Sequence, residues 1–141
     1  MAPEGTIQLS VPSDPACMTI VRALVDKMAE VAGFDEDQVF RIVLAVDEAC
    51  TNIIRHQYGG RHDQRIDITA DLGSGGERFQ VVIRDYGDVR DPDQFKGRDL
   101  RDVRPGGLGV HIIREVMDEV EYSAAPGGGM QLRLCKSTQR E

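Results

Sequence analysis

Between Asp35 and Gly59, apolar side chains fall at Val39, Ile42, Val43, Val46, Cys50, Ile53 and Ile54, the spacing of one buried stripe on a helix. The stripe predicts a helix that opens after Asp35, runs to about Tyr58 and stops at Gly59-Gly60. Residues 6–11, TIQLSV, alternate with period two as far as Pro12 and predict a first strand. Between strand and helix, SDPACMTIVRALVDKMAEVAGF predicts another helix, with Ser13 or Asp14 as N-cap, Pro15 in the first turn and Gly33 as its stop. RIDITADLG and RFQVVIRDYG, joined by GSGGE, read as two strands of a hairpin. A third helix is predicted over residues 106–120, GGLGVHIIREVMDEV, from Val110, Ile113, Val116, Met117 and Val120. EVEYSAAPGGGMQLRLCKS then predicts a closing hairpin that turns at residues 126–129.

The order β, α, α, β, β, α, β, β predicts an α+β fold: a two-layer sandwich of a mostly antiparallel sheet with three helices on one face. At 141 residues, without a linker or an internal repeat, the expectation is one domain over residues 1–141. Residues 89–105 break the pattern. VRDPDQFKGRDLRDVRP has few apolar positions, two prolines and a glycine, so it is expected to be a mobile loop, at a length that usually signals function or disorder.

Charge narrows the partners. Twenty-four acidic against 17 basic residues give a net charge of −7, which repels phosphate backbones and anionic lipid, so neither nucleic acid nor a membrane is an expected partner. Cys17, Cys50 and Cys135 match no zinc or redox spacing and are expected to be small buried hydrophobes in a reducing compartment. The first residues carry no basic region followed by an apolar run, and no stretch reaches eighteen consecutive apolar residues; a cytoplasmic protein is expected.

Three motifs carry candidate chemistry. Glu48 and Asn52 stand four residues apart on the predicted second helix, away from its apolar stripe and on a face shared with Leu44 and Ala45. Alone they are either a solvated face or a site, with a carboxylate suited to act as base beside a hard oxygen ligand suited to Mg²⁺. Asp85 to Gly87, DYG, is either a turn or an acceptor carboxylate followed by a glycine that admits a flat ligand close to the backbone. PGGLG, at residues 105–109, places glycines at a helix start, where free N–H groups at the positive end of the dipole can receive phosphate. It lacks the third glycine of the dinucleotide fingerprint, with Ile112 in that place, and no GxxxxGK[ST] occurs. Lys96, Arg98, Arg101 and Arg104 would put positive charge over a bound polyphosphate, although Asp99 and Asp102 are interspersed. The three histidines, His56, His62 and His111, show no metal spacing.

An E-x-x-x-N helix, a strand ending D-x-G, a loop and a G-x-G helix start, in that order, resemble the Bergerat-type ATP-binding fold of gyrase, Hsp90, histidine kinases and MutL. The likeness is narrower to the anti-sigma factor serine kinases of the RsbW and SpoIIAB type. DEACTNIIRHQY is similar to that family's N box, and RPGGLGVHIIREVMDEVEY to its second glycine box and the strand after it.

The resemblance, which spans essentially the whole chain, implies a protein serine/threonine kinase that uses ATP and Mg²⁺. Glu48 would be the general base, and Asn52 the magnesium ligand. Asp85 and Gly87 would meet adenine. Arg104, Gly106, Gly107, Leu108 and Gly109 would meet the phosphates beneath a lid formed by residues 89–104, and Arg22 would contact the protein partner. The implied partners are a STAS-type anti-anti-sigma protein as substrate and a sigma factor or other regulator as the target held; a homodimer is implied as well. Val89 replaces the second glycine of D-x-G-x-G, and Met130-Gln131 stand where the fold often has a threonine. A non-catalytic module in which nucleotide gates the affinity for a partner is the alternative from a different class. A histidine-kinase catalytic domain is not expected, because no helical hairpin with a phosphoacceptor histidine precedes the first strand.

Overall fold

The computed structural model describes residues 5–73, 78–88 and 107–138, with residues 107–111 described by their backbone alone. Among the described residues the strands are β1 (Thr6–Pro12), β2 (Arg65–Asp71), β3 (Arg78–Asp85), β4 (Glu119–Ala124) and β5 (Met130–Ser137), and the α-helices are α1 (Met18–Ala32), α2 (Glu36–Asn52) and α3 (Gly107–Val116). The strands form one sheet in the order β1-β2-β3-β5-β4, with every pairing antiparallel. The sandwich expected from the hydrophobic pattern is therefore present, with an entirely antiparallel sheet.

The core follows from strand parity and helical stripe. Ile66, Ile68 and Ala70 of β2, Phe79, Val81 and Ile83 of β3, and Leu132 and Leu134 of β5 are buried at alternate positions. Against them lie Val21, Val25 and Met28 of α1, Ile42, Val46 and Cys50 of α2, and Ile113 of α3. The three cysteines are free, with Cys50 and Cys135 buried and Cys17 half-buried. Burial pushes the Cys50 thiol up to about 12, so it behaves as an apolar side chain.

Helix boundaries follow local chemistry. Asp14 accepts from the Ala16 N–H at 2.9 Å and opens a short 3-10 turn, Pro15–Cys17, before α1 begins. Ser13 does not cap the helix. It is buried, donates to the Arg61 carbonyl at 2.6 Å and accepts from the Gln64 N–H at 3.1 Å. Gly33 ends α1 at φ 105°, a left-handed conformation that glycine adopts without steric cost. A capping box between Asp35 and Gln38 opens α2.

Two predicted ends move. The second helix is not a uniform α-helix to Tyr58; after Asn52 it becomes a π-helical turn over Ile53–Gln57, closed by the Tyr58 N–H donating to the Ile53 carbonyl at 2.9 Å. The third helix ends at Val116, not Val120, because the Asp118 N–H donates to the Cys135 carbonyl and starts the pairing of β4 with β5. Val120 is a strand residue opposite Leu134, and its helical spacing from Val116 is coincidence. Residues 74–77 of the GSGGE turn and residues 89–106 lie outside the described residues.

The outer sheet face is polar. Asp67 there accepts from Arg65 Nε at 2.8 Å, from the Ser10 hydroxyl and from the Tyr86 hydroxyl. Burial alone pushes the Asp67 carboxyl up, but those three hydrogen bonds together outweigh it and hold the group below the ordinary value of 3.8. A depressed folded value contributes stability above the ordinary value, and that stability is lost as pH falls through the folded one. Asp67→Asn should therefore cost roughly 0.5–1 kcal/mol at pH 7 and progressively less as pH falls below the ordinary carboxylate value, a narrowing that urea unfolding over a pH series checks.

Candidate functional site

Glu48 and Asn52 lie on the last two turns of α2, and both are half-buried. Of the neighbours expected on their face, Leu44 is exposed at 38%, whereas Ala45 is fully buried in the core. The face is thus a border between core and surface, not a solvated stripe. The Asn52 side-chain oxygen Oδ1 is buried without a hydrogen-bond partner among the described residues. An unpaired buried amide oxygen costs roughly 1–3 kcal/mol, a cost that a donor or a cation beside it would relieve. A hard carbonyl oxygen of this kind fits Mg²⁺. Among the described residues no group of three or more His, Cys, Asp or Glu is placed to hold a metal.

Asp85 closes β3 at the same parity as Phe79, Val81 and Ile83, so its carboxylate is carried to the helix-covered face and is only 4% exposed. Its Oδ1 accepts three hydrogen bonds: from Gln57 Nε2 at 2.9 Å, from the Gly87 N–H at 2.9 Å and from the Met130 N–H at 3.2 Å. The turn between β4 and β5 packs against the same residue. Arg84 Nη2 donates to the carbonyls of Pro126 at 2.7 Å and Gly128 at 3.1 Å, which pins the turn to the end of β3. Gly129, at φ +80°, packs so closely that a Cβ there would lie 2.1 Å from the Asp85 carbonyl oxygen. No other residue fits that position.

Tyr58 ties the same end together. Its hydroxyl donates to the Arg65 carbonyl and accepts from the Tyr86 N–H at 2.7 Å, and burial pushes its phenol up. Arg22 on α1 donates to Asp47 Oδ1 at 2.8 Å and to the Thr19 hydroxyl at 3.2 Å. It therefore stands beside the residue that precedes Glu48, with its side chain 43% exposed. Gly107, Leu108 and Gly109 form the first turn of α3, where they present backbone N–H groups at the helix start. Arg104, Gly106 and residues 89–104 lie outside the described residues.

Gln57, Gly129 and the Met130 backbone join Asp85; sequence reasoning marks Met130 only as standing where the fold often has a threonine, and points to neither Gln57 nor Gly129 as a site residue. The glycine run is a signal for Gly129, and core parity is one for Asp85. Gln57 gives no signal. On a continuous α-helix it would stand about 140° round from Asn52, whereas the π turn absorbs one residue and brings it to about 40°. The same turn leaves Gly87 facing Gln57: a Cβ on Gly87 would lie 2.6 Å from Gln57 Cγ.

Comparison with known proteins bears on the fold and the family. The model of the histidine kinase-like ATPase domain matches residues 11–136. The serine-protein kinase RsbW of Bacillus velezensis is 31% identical over 130 residues, covering 86% of this chain and 79% of its own. Its namesake in Bacillus subtilis is 32% identical with the same coverage. In Halalkalibacterium halodurans the kinase of that name is 30% identical over 146 residues, 96% of this chain and 85% of its own. Among solved structures, the RsbU and RsbW domains of Rv1364c from Mycobacterium tuberculosis superpose with a TM-score of 0.67 at 18% identity, covering 98% of this chain and 34% of that longer one. The SiaB-SiaC complex from Pseudomonas aeruginosa gives a TM-score of 0.68 at 13% identity, covering 92% and 88%. These two likenesses speak for the fold, and the sequence matches for the family. The chain belongs to the histidine kinase-like ATPase domain family and, within it, to the RsbW serine-protein kinases.

Proposed function

We propose that the protein is an ATP-dependent serine/threonine kinase and anti-sigma factor of a partner-switching module, which phosphorylates a STAS-type anti-anti-sigma protein and holds a sigma factor or similar regulator in alternation with it. The observation that carries the ATP site is the orphaned Asn52 oxygen on one side and the buried, donor-rich Asp85 on the other, joined by one continuous helical segment. Asp85 accepts from the amino group of adenine. The backbone at Gly107, Leu108 and Gly109 receives phosphate, aided by Gly106 and by Arg104. Asn52, through its buried Oδ1, would hold Mg²⁺, and the ion would supply positive charge beside the phosphates.

Glu48 takes the proton from the partner's serine or threonine hydroxyl, whose oxygen then attacks the terminal phosphorus of ATP. The phosphoryl group passes to the partner, ADP departs, and the proton remains on Glu48 until solvent removes it. Arg22, on the exposed side of its ion pair with Asp47, contacts the partner and places that contact next to the base. All of this is carried by one domain and is expected in the cytoplasm; no described helix is long and apolar enough to cross a membrane. Pairing of two copies remains part of the proposal.

Removal of the metal tests the site. Titration of the apoprotein with ATP by calorimetry should show binding at least about tenfold tighter with Mg²⁺ than with a chelator, the scale of one lost charge-assisted contact. Equal affinity in the two conditions would remove Asn52 from the metal role.

A further inference from the structure

Gln57 is the polar side chain with which the π turn reaches the end of β3. Its single amide nitrogen donates twice, to Asp85 Oδ1 at 2.9 Å and to the Asp88 carbonyl at 2.6 Å. Both partners are acceptors, so the amide is oriented unambiguously: a flipped side chain would aim its oxygen at two oxygens. Among the described residues, the three hydrogen bonds to the Asp85 carboxylate all fall on Oδ1, two from the backbone and the third from Gln57, which leaves Oδ2 as the oxygen for an incoming donor. A carboxylate held by one edge in this way cannot rotate to present the other. The Gln57 stem also lies against the Cα of Gly87, so the helix that carries Glu48 and Asn52 is braced directly on the D-x-G turn.

We propose that Gln57 is the positioning residue of the base subsite: it fixes the Asp85 carboxylate and the Asp88 carbonyl in the orientation that accepts from a 6-aminopurine, and thereby sets the preference for adenine over guanine nucleotides. The proposal rests on Asp85 being the acceptor for the base. A 6-amino group donates to Oδ2, whereas the 6-oxo group of guanine would place an acceptor against an acceptor. That penalty is large only while the carboxylate is held still, because a carboxylate free to swing aside escapes the repulsion. The π turn is the device that puts Gln57 in place, since it brings this position round to the face of Asn52.

Gln57→Ala and Gln57→Glu in the full chain test this, with Asp85→Asn in parallel and thermal melting as the check of folding. The probes are ATP and GTP, each with Mg²⁺. Gln57→Ala should raise the KM and Kd for ATP about tenfold, leave kcat within about twofold, and narrow the ATP-to-GTP preference by about tenfold. Gln57→Glu keeps the shape but sets a second carboxylate against Asp85, and should lose at least as much. A merely structural role would lower melting temperature without narrowing the preference. If Gln57→Ala binds ATP as tightly as the wild type, or more tightly, with the preference unchanged, the side chain only occupies space that the base displaces and the proposal is overturned. Should Asp85→Asn lose the preference while Gln57→Ala keeps it, Gln57 alone is wrongly assigned. If neither variant changes it, the base reading of Asp85 has failed and this proposal fails with it.

Discussion

Glu48→Ala should bind ATP within about threefold of the wild type yet transfer phosphate to its protein substrate about 10²–10⁴-fold more slowly, the span associated with loss of a general base. The expectation follows from where Glu48 sits. It is half-buried on the last turns of α2, one residue after the Arg22–Asp47 ion pair and one turn before Asn52, so it lies between the proposed partner contact and the proposed metal. The base end of the nucleotide, at Asp85, is built from the π turn, β3 and the β4–β5 turn, none of which involves Glu48. Nucleotide affinity and chemistry are therefore separable. Single-turnover transfer and equilibrium binding measure the two halves, and a parallel loss of both would mean that Glu48 supports the fold or the nucleotide instead of the proton.

Asn52→Ala should do the reverse to binding. Its affinity for ATP in Mg²⁺ should fall to the level that the wild type shows in chelator, and added Mg²⁺ should no longer tighten it. Apoprotein stability gives an independent sign. In the wild type the Asn52 Oδ1 is buried and unpaired among the described residues, at a cost of roughly 1–3 kcal/mol. Alanine removes that group, so the variant apoprotein should melt no lower than the wild type while losing the metal-dependent gain on ATP. An ordinary structural asparagine would behave oppositely, with truncation lowering stability and leaving the metal dependence intact.

Much of the architecture is legible in the sequence because two periods suffice for a two-layer sandwich. The single stripe of α2 and the alternation of Phe79, Val81 and Ile83 both specify a buried face without reference to any partner. What periodicity hides is an irregularity that preserves the apolar count. Ile53 and Ile54 extend the stripe whether the backbone is α or π, so the extra residue of the turn, and with it the position of Gln57, leaves no trace. Val116, Met117 and Val120 continue a helical pattern past the true end of α3, because the strand that follows buries its own apolar positions against the same core. The chemistry is legible only as an ordered set. Glu48 and Asn52 alone are ambiguous; Asp85 is marked as unusual by an acid standing at a core parity. The closeness of Gly129 to the Asp85 backbone depends on two strands distant in sequence, and spacing along the chain contains no such information.

The most direct test of the kinase is transfer itself. The protein is incubated with Mg²⁺, ATP labelled on its terminal phosphate and a STAS-type partner, followed by acid treatment and separation of the chains. Label is expected on the partner, stable to acid as a serine or threonine phosphoester is, in stoichiometric amount and absent with Glu48→Ala. A stoichiometric complex that forms with nucleotide but carries no label would contradict the kinase assignment, and would leave a nucleotide-gated binding protein in its place.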